Sequence, residues 1–503
     1  MSHANLYARF ERVFETHAEK TAIRSADGGT SLSFGDLARG AARYANALSA
    51  LGVERGDRVT VQVEKSIANV LLYLAVMKLG AVYQPLNTAY TAAEFSYFVK
   101  DAQPKLIICD PSRQMEMRAL ADQCKVFAVV NLDAAGNGSL ATMAATMDDR
   151  HETVEASDDD LAGLLYTSGT TGRSKGAMIT HGNLFSNAST LVDLWRITGA
   201  DTLLHALPIF HVHGLYVALN TAFLSGAEIL WFDKFDAKAV TASLAQATLM
   251  MGVPTFYTRL LSDLSFGPDV TQNMRLFISG SAPLLAETHR EFEARTGHAI
   301  LERYGMTETG MITSNPYEGA RVPGTVGFAL SGVSVHVSGS QPGVLEVKGP
   351  NVFKGYWRMP EKTREEFTGD GYFITGDVCT IAADGRVSIV GRAKDLIISG
   401  GFNIYPKEIE EVLDQLPGVG ESAVIGVPHP DFGEGVIAAI TASGPLAPEA
   451  EMIATLSRTL ARFKVPKRIF LVDALPRNAM GKVQKAELRK RYQAVFAPEG
   501  GSV

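Results

Sequence analysis

Short apolar runs bounded by charged or turn residues recur along most of this chain: RVTVQVEK (58–65), KLIICD (105–110), VFAVVNL (126–132), LAGLLY (161–166), AEILWF (227–232) and RLFISGS (275–281). Their length and β-branched content predict strands. Stretches between them, such as ANALSALGV (45–53) and SLAQATLMMG (243–252), read as helices. Strands alternating with helices favour a layered α/β architecture. After residue 330 the pattern changes: VSVHVSGSQPGVLEVKGPNVFKGYW (333–357) and GRVSIVGR (385–392) predict short strands with Gly turns, a small β-rich subdomain. Beyond GRAKDLIISGG comes a compact α+β tail, with helices at KEIEEVLDQL (407–416) and EMIATLSRTLARF (451–463) around a strand at ESAVIGVPH (421–429). The pattern places a boundary near Lys394, between a large domain 1–393 and a small one 394–503.

At 503 residues and 46% hydrophobic content, the chain can bury more than one core. A net charge of −7 argues against a nucleic-acid partner held by a broad basic surface. Cys109, Cys124 and Cys379 have no metal-ligand spacing and suggest no disulfide framework, so a reduced cytoplasm is the expected location. The opening MSHANLYARFERVFETH is amphipathic and mixed in charge, unlike a signal peptide, and no apolar run is long enough for a membrane span. The most linker-like segment is Asp133 to Asp160, small, polar and finally acidic.

The segment YTSGTTGRSKG, Tyr166 to Gly176, concentrates glycine and hydroxyl residues between two strand-like runs, with Thr180 a plausible cap for the helix that follows. A flexible linker does not usually sit between core strands. A turn of this composition can aim backbone N–H groups and hydroxyls at an anion, with Arg173 and Lys175 adding charge. Gly169, Gly172 and Lys175 are spaced by threes, which excludes a Walker A loop, and no dinucleotide fingerprint is present. The local reading is a nucleotide or phosphate site of another kind.

Seven further motifs follow in order: LPIFHVHG, GVPTFYTRLL, FISGSAPL, ERYGMTET, GYFITGDV, GRAKDLIISGGFNIYPKEIE and LPRNAMGKVQK. Together they resemble the adenylate-forming superfamily over nearly the full chain: acyl-CoA synthetases, peptide-synthetase adenylation domains and firefly-type luciferases. The resemblance implies a large N-terminal domain, a hinge at Lys394, and a mobile C-terminal domain that alternates between two half-reactions. A carboxylate first attacks the α-phosphate of ATP, and a thiol, here coenzyme A, then takes the acyl group. It further implies that Thr167, Ser168, Gly169, Thr170, Thr171, Gly172, Arg173 and Lys175 hold the triphosphate. Gly280, Ser281, Ala282, Tyr304, Gly305 and Met306 would border the adenine and Thr307 the α-phosphate, while Glu308 would hold Mg2+. Asp377 and Arg392 would take the ribose, and Lys482 would bridge carboxylate and phosphate in the first half-reaction. Gly400, Gly401, Phe402 and Asn403 would line the path of coenzyme A. Some bacterial members are controlled by acetylation of the equivalent lysine, so a lysine acetyltransferase acting on Lys482 is a candidate partner.

The acyl end reads more sharply. Arg259 and Arg303 fall in segments that the family folds around the acyl group, with His211, His213, Ser279 and Ser281 nearby in motif order. A guanidinium can grip a second carboxylate, which a monocarboxylic acid does not offer. VEKS, VYQPLNTAYT, RLFISGSAPL and RYGMTETGMITSNPY resemble the malonyl-CoA synthetase subgroup, which implies malonate as substrate with a 2-methyl group tolerated. Gln84 departs from the aliphatic residue expected there, and Gly310 ties to no particular acid. Arg259 pairing on the surface, Arg303 pairing with Glu302, and a metal held by His211 and His213 are the bland alternatives. Rival functions are an amino-acid adenylation domain, a synthetase for another short- or medium-chain or aromatic acid, a luciferase-like oxidase and a degenerate nucleotide-binding regulator. The first lacks its substrate aspartate in IFHVHGLYV, and intact Lys175, Glu308, Asp377, Arg392 and Lys482 speak against the last.

Overall fold

The computed structural model of the chain describes residues 4–167, 174–400, 402–478 and 481–497. The chain divides into two compact units, Met1–Ser334 with Val347–Phe373, and Val335–Glu346 with Ile374–Val503. Among the described residues no helix is long and apolar enough to cross a membrane.

Unit one carries two large sheets. The first runs, in spatial order, Ala128–Asn131, Leu106–Cys109, Arg58–Gln62, Val82–Pro85, Leu161–Thr167 and Lys175–Thr180. Its first five strands pair in parallel and the last, Lys175–Thr180, pairs antiparallel to Leu161–Thr167 at the sheet edge. The second has nine strands, with Leu301–Met306, Leu276–Ser279, Leu249–Gly252 and Thr202–His205 adjacent in its middle. Leu106–Cys109, Leu249–Gly252 and Leu276–Ser279 are buried at every position, which explains their near-continuous apolar text. Gln84 finds a partner inside the first sheet, accepting from the Thr60 hydroxyl at 2.6 Å.

Two expectations from the sequence are corrected. SLAQATLMMG reads as a helix, but it supplies a short turn at Leu244–Gln246 and then the strand Leu249–Gly252. Leu249, Met250 and Met251 are a short apolar run without a period, and pairing on both sides decides the matter. The segment Asp133 to Asp160 is no linker: it contains the helix Ser139–Ala145, and Asn5 and Asn46 donate to the carbonyls of Val154, Asp148 and Arg150.

Thr180 does cap the helix His181–Leu194, through a reciprocal box in which its hydroxyl accepts from Asn183 N and Asn183 Oδ1 accepts from Thr180 N. Such a cap contributes about 1 kcal/mol. The helix Pro254–Leu261 buries Phe256, Tyr257, Leu260 and Leu261. Tyr257 donates to the carbonyl of Ile278 at 2.6 Å, and its ring meets Phe292 edge-on. That anchor fixes the strand end from which Ser279, Gly280 and Ser281 emerge.

Unit two contains the strand Val387–Arg392 and, from Ile374 onward, the strand Phe373–Ile381, paired antiparallel in a four-stranded sheet. It also contains a second sheet around the long pair Val419–His429 and Gly433–Ala442. The second sheet is covered on both faces: Val424, Val436, Ala438 and Ile440 pack with Ile409, Leu413 and Leu456, while Ala423, Ile425, Ile437 and Ala439 pack with Leu488. This is the predicted α+β tail.

Candidate active site

Unit one holds two clusters of candidate side chains. The first surrounds the paired strand ends at Thr167 and Lys175. Ser168, Gly169, Thr170, Thr171, Gly172 and Arg173 lie outside the described residues, but Thr167 and Lys175 are paired across the two strands. Lys175 Nζ contacts Glu366 Oε1 at 2.6 Å and lies 4.0 Å from the Tyr356 ring centre. The Tyr356 hydroxyl sits 2.7 Å from Glu366 Oε2 and 3.1 Å from Glu308 Oε1, and Thr167 donates to the same Glu308 oxygen at 3.3 Å. Burial raises the carboxyl of Glu308, with hydrogen bonding from Tyr356 and the charge of Lys175 opposing. Burial works the same way on Glu366, but hydrogen bonds from Lys175 and Tyr356 outweigh it and hold that carboxyl below its usual range. Two carboxylates thus meet at the Tyr356 hydroxyl, and Glu366 also pairs with Lys175. Neither Tyr356 nor Glu366 was singled out from the sequence. Glu366 sits in the charged run EKTREEF, which looks like any solvated helix face, and its partner is 191 residues away.

The second cluster is built on the ends of adjacent strands. Arg303, on Leu301–Met306, is 3% exposed, and its Nε and Nη2 have no hydrogen-bond partner among the described residues. Burial lowers its guanidinium to about 9, with Tyr257 opposing, so it remains a cation at neutral pH. Glu302 points elsewhere and accepts from Gly324 N. Gly280 lies flat against Arg303, where an added Cβ would come within 2.2 Å of Nη1. Ser281 follows with φ +71°, a left-handed conformation that is unusual for serine and locates strain at this turn. Its hydroxyl is 3.2 Å from His213 Nδ1, and His213 N donates to His211 Nδ1 at 3.4 Å. Ser279 Oγ and His213 Nε2 are buried without partners among the described residues. Burial, and then the charge of Arg303, lowers His211 to about 4 and His213 well below its usual value, so both rings are neutral at pH 7. Among the described residues no group of three or more His, Cys, Asp or Glu could hold a metal.

Tyr304, Gly305, Met306 and Thr307 form the end of one strand and the turn to Gly310–Ser314. Gly305 must be glycine, because a Cβ there would sit 2.1 Å from the carbonyl oxygen of Gly310. Gly310 itself takes φ +57° beside Asn187, where an added Cβ would come within 2.6 Å of Asn187 Oδ1. Ala282 follows Ser281 in the same loop as Gly280. Arg259 does not join this cluster. It lies on the exposed face of Pro254–Leu261, opposite the buried Tyr257 and Leu260.

Unit two holds the remaining candidates. Asp377 and Arg392 face each other across their strands, Arg392 Nε lying 2.7 Å from Asp377 Oδ1. Lys394 is lowered by burial and then by Arg392, and the next residue, Asp395, pairs with Arg489 at 2.7 Å. Lys482 keeps exposed surface, yet loss of hydration around its ammonium, followed by the charge of Arg392, lowers it to about 8. Gly400 N donates to Phe432 O at 2.9 Å, and Phe402 stacks on Phe463. Gly401 lies outside the described residues, and Asn403 pairs through its backbone with Ile398.

Residues 10–357 match the AMP-binding enzyme family and residues 408–482 its C-terminal domain. The chain belongs to the AMP-binding enzymes. Among the curated members of that family, a feruloyl-CoA synthase from Amycolatopsis sp is 36% identical, covering 94% of this chain and 96% of its own. A malonate–CoA ligase from Arabidopsis thaliana is 35% identical, covering 88% of this chain and 79% of its own. Among solved AMP-binding structures, ATP-bound MatB from Rhodopseudomonas palustris is 53% identical with a TM-score of 0.95, covering 98% of this chain and all of its own (100%).

Proposed function

We propose that this chain ligates malonate to coenzyme A with ATP, through a malonyl-adenylate, releasing pyrophosphate and then AMP. The observation that carries the reading is Arg303: a buried cation, two of whose nitrogens are unpartnered among the described residues, in the cluster that meets the acyl group. A buried unpaired charge is costly, so the site is built to receive an anion. The distal carboxylate of malonate supplies it. Malonate–CoA ligases among the curated relatives support the same choice.

In the first half-reaction a malonate oxygen attacks the α-phosphorus and the bond to pyrophosphate breaks. Arg303 holds the far carboxylate, with neutral His211, His213, Ser279 and Ser281 as polar neighbours that do not repel it. Thr307 borders the α-phosphate, and Lys175, with Thr167 through Arg173, balances the departing pyrophosphate. Lys482 bridges attacking carboxylate and phosphate, neutralising charge that builds in the transition state. Gly280, Ser281, Ala282, Tyr304, Gly305 and Met306 border the adenine, and Asp377 with Arg392 takes the ribose. In the second half-reaction the thiolate attacks the acyl carbon and AMP leaves, with Gly400 to Asn403 beside coenzyme A and Lys394 as the hinge between the two states. The residues around Glu308 fit magnesium: a buried carboxylate whose Tyr356 hydroxyl is also claimed by Glu366, with hard oxygen donors at Thr167 and Tyr356. Bound there, the ion would spread the phosphate charge. A 2-methyl group on malonate is accepted, and acetylation of Lys482 would stop the first half-reaction. The three free cysteines, two of them buried, agree with action in the cytoplasm.

Pyrophosphate release with ATP, magnesium and coenzyme A, compared across malonate, methylmalonate, succinate, acetate, octanoate, benzoate and ferulate, tests the reading. Release confined to malonate and methylmalonate supports it. Ferulate or benzoate leading would make the chain an aromatic-acid ligase, and silence throughout would end the enzyme reading.

A further inference from the structure

Lys175 already has a partner in this chain. Its ammonium meets Glu366 at 2.6 Å, and Glu366 is held in turn by the Tyr356 hydroxyl at 2.7 Å and by Lys362 at 3.2 Å. The Lys175 and Glu366 side chains are only 12% and 21% exposed, so the pair is partly desolvated and less screened by salt than a surface bridge. Glu366 caps the end of the helix Pro360–Glu365, a fixed point in unit one, with its Oε2 aimed by Tyr356. One ammonium has three donors, but its charge is single, and a triphosphate and a carboxylate on the same lysine are in electrostatic competition.

We propose that Glu366 is a counter-ion for Lys175 that trades places with the phosphates: it holds the lysine before nucleotide arrives, yields it to the triphosphate, and reclaims it as pyrophosphate leaves. Glu366 is then a positioning residue that acts through Lys175, and its main effect is on release of the first product. This inference rests on the assignment of Lys175 to the phosphates made above. The ion pair opposes anion binding from inside the site, so removing the carboxylate strengthens retention of pyrophosphate. Tyr356 contributes by keeping the carboxylate aimed while its ring lies 4.0 Å from the ammonium.

The test is product inhibition by pyrophosphate in the full-length enzyme, with Michaelis constants for ATP and malonate measured alongside. For E366Q the inhibition constant of pyrophosphate is expected to fall about fivefold, the size of a partly buried ion pair. The constant for ATP should fall in parallel and that for malonate should stay unchanged. E366D, which keeps the charge on a shorter arm, should restore much of the wild-type value. Weaker or unchanged pyrophosphate inhibition in E366Q, with a folded enzyme and an unaltered malonate constant, overturns the proposal. K175A separates the two layers: if its ATP and pyrophosphate constants match wild type, the phosphate role of Lys175 fails and the Glu366 inference falls with it. If K175A binds both poorly while E366Q binds pyrophosphate no better, only the Glu366 inference fails. Should E366Q prove unstable, Y356F, which releases the aim of the carboxylate but keeps the ring, is expected to shift pyrophosphate inhibition in the same direction, and no shift counts against the proposal.

Discussion

The guanidinium of Arg303 rests on the backbone of Gly280 so closely that any β-carbon at position 280 would fall within 2.2 Å of Nη1. The glycine therefore sets where the buried charge can be. Gly280→Ala must displace either the arginine or the strand end anchored by Tyr257, and it is expected to raise the Michaelis constant for malonate. Arg303→Gln removes a charge-assisted contact and should raise the same constant by about tenfold to a hundredfold. Because both act through one contact, Gly280→Ala should cost malonate binding little more once Arg303 is already Gln. Additive losses in the double variant would separate the two residues. Arg259→Gln, on the exposed helix face, should leave malonate binding near wild type.

Glu308 is buried beside a hydroxyl that also serves Glu366, and it is the proposed magnesium ligand. Glu308→Gln keeps the shape and removes the charge. The magnesium concentration needed for half-maximal pyrophosphate release should rise at least tenfold, with thermal stability unchanged or slightly higher, because burial disfavours the ionised carboxyl. Unchanged magnesium dependence would place the ion elsewhere.

Much of this molecule was legible in its sequence because local chemistry and tertiary role agree. Thr180 sits where a cap is needed and makes one, and KLIICD and RLFISGS, short apolar runs bounded by charged or turn residues, form buried strands. Where the two part, reading fails. SLAQATLMMG has no period to distinguish helix from strand, and only pairing to Thr202–His205 and Leu276–Ser279 decides it. Arg259 and Arg303 look equivalent as arginines in neighbouring motifs, yet helix phase turns one outward and strand geometry turns the other inward. Glu366 carries no local signal at all, since its meaning comes from a lysine far away in the chain.

His205 gives a stability prediction that does not depend on the reaction. It is 1% exposed and stacks on Trp231; its Nε2 lies 2.9 Å from the carbonyl of Gly214, and its Nδ1 has no partner among the described residues. Nε2 therefore carries the proton, and charging the ring would put a second one on a nitrogen with nothing to receive it. Burial, followed by the charge of Lys65, lowers the group from 6.5 to about 3. Between those values the unfolded chain binds a proton that the folded chain refuses, so stability falls as pH falls, by about 1.4 kcal/mol per pH unit from this group. Melting temperature measured from pH 7 to pH 4 should drop more steeply for wild type than for His205→Gln. Parallel curves would show that the ring is not the titrating group.

Lys482 offers the most direct division of the two half-reactions. Its proposed task, neutralising charge between carboxylate and α-phosphate, exists only while the adenylate forms. Lys482→Ala should lower adenylate formation by about a hundredfold or more. Transfer of the acyl group from supplied malonyl-adenylate to coenzyme A should stay within a few-fold of wild type, and chemical acetylation of the lysine should behave the same way. The lysine acts as a cation, and with its ammonium lowered to about 8 it loses that charge as pH rises through this value. Single-turnover adenylation should therefore fall above pH 8 in the wild type, and the residual rate of Lys482→Ala should show no such fall. A variant with both half-reactions equally impaired, or one that keeps the alkaline decline, would move the bridging role to another residue.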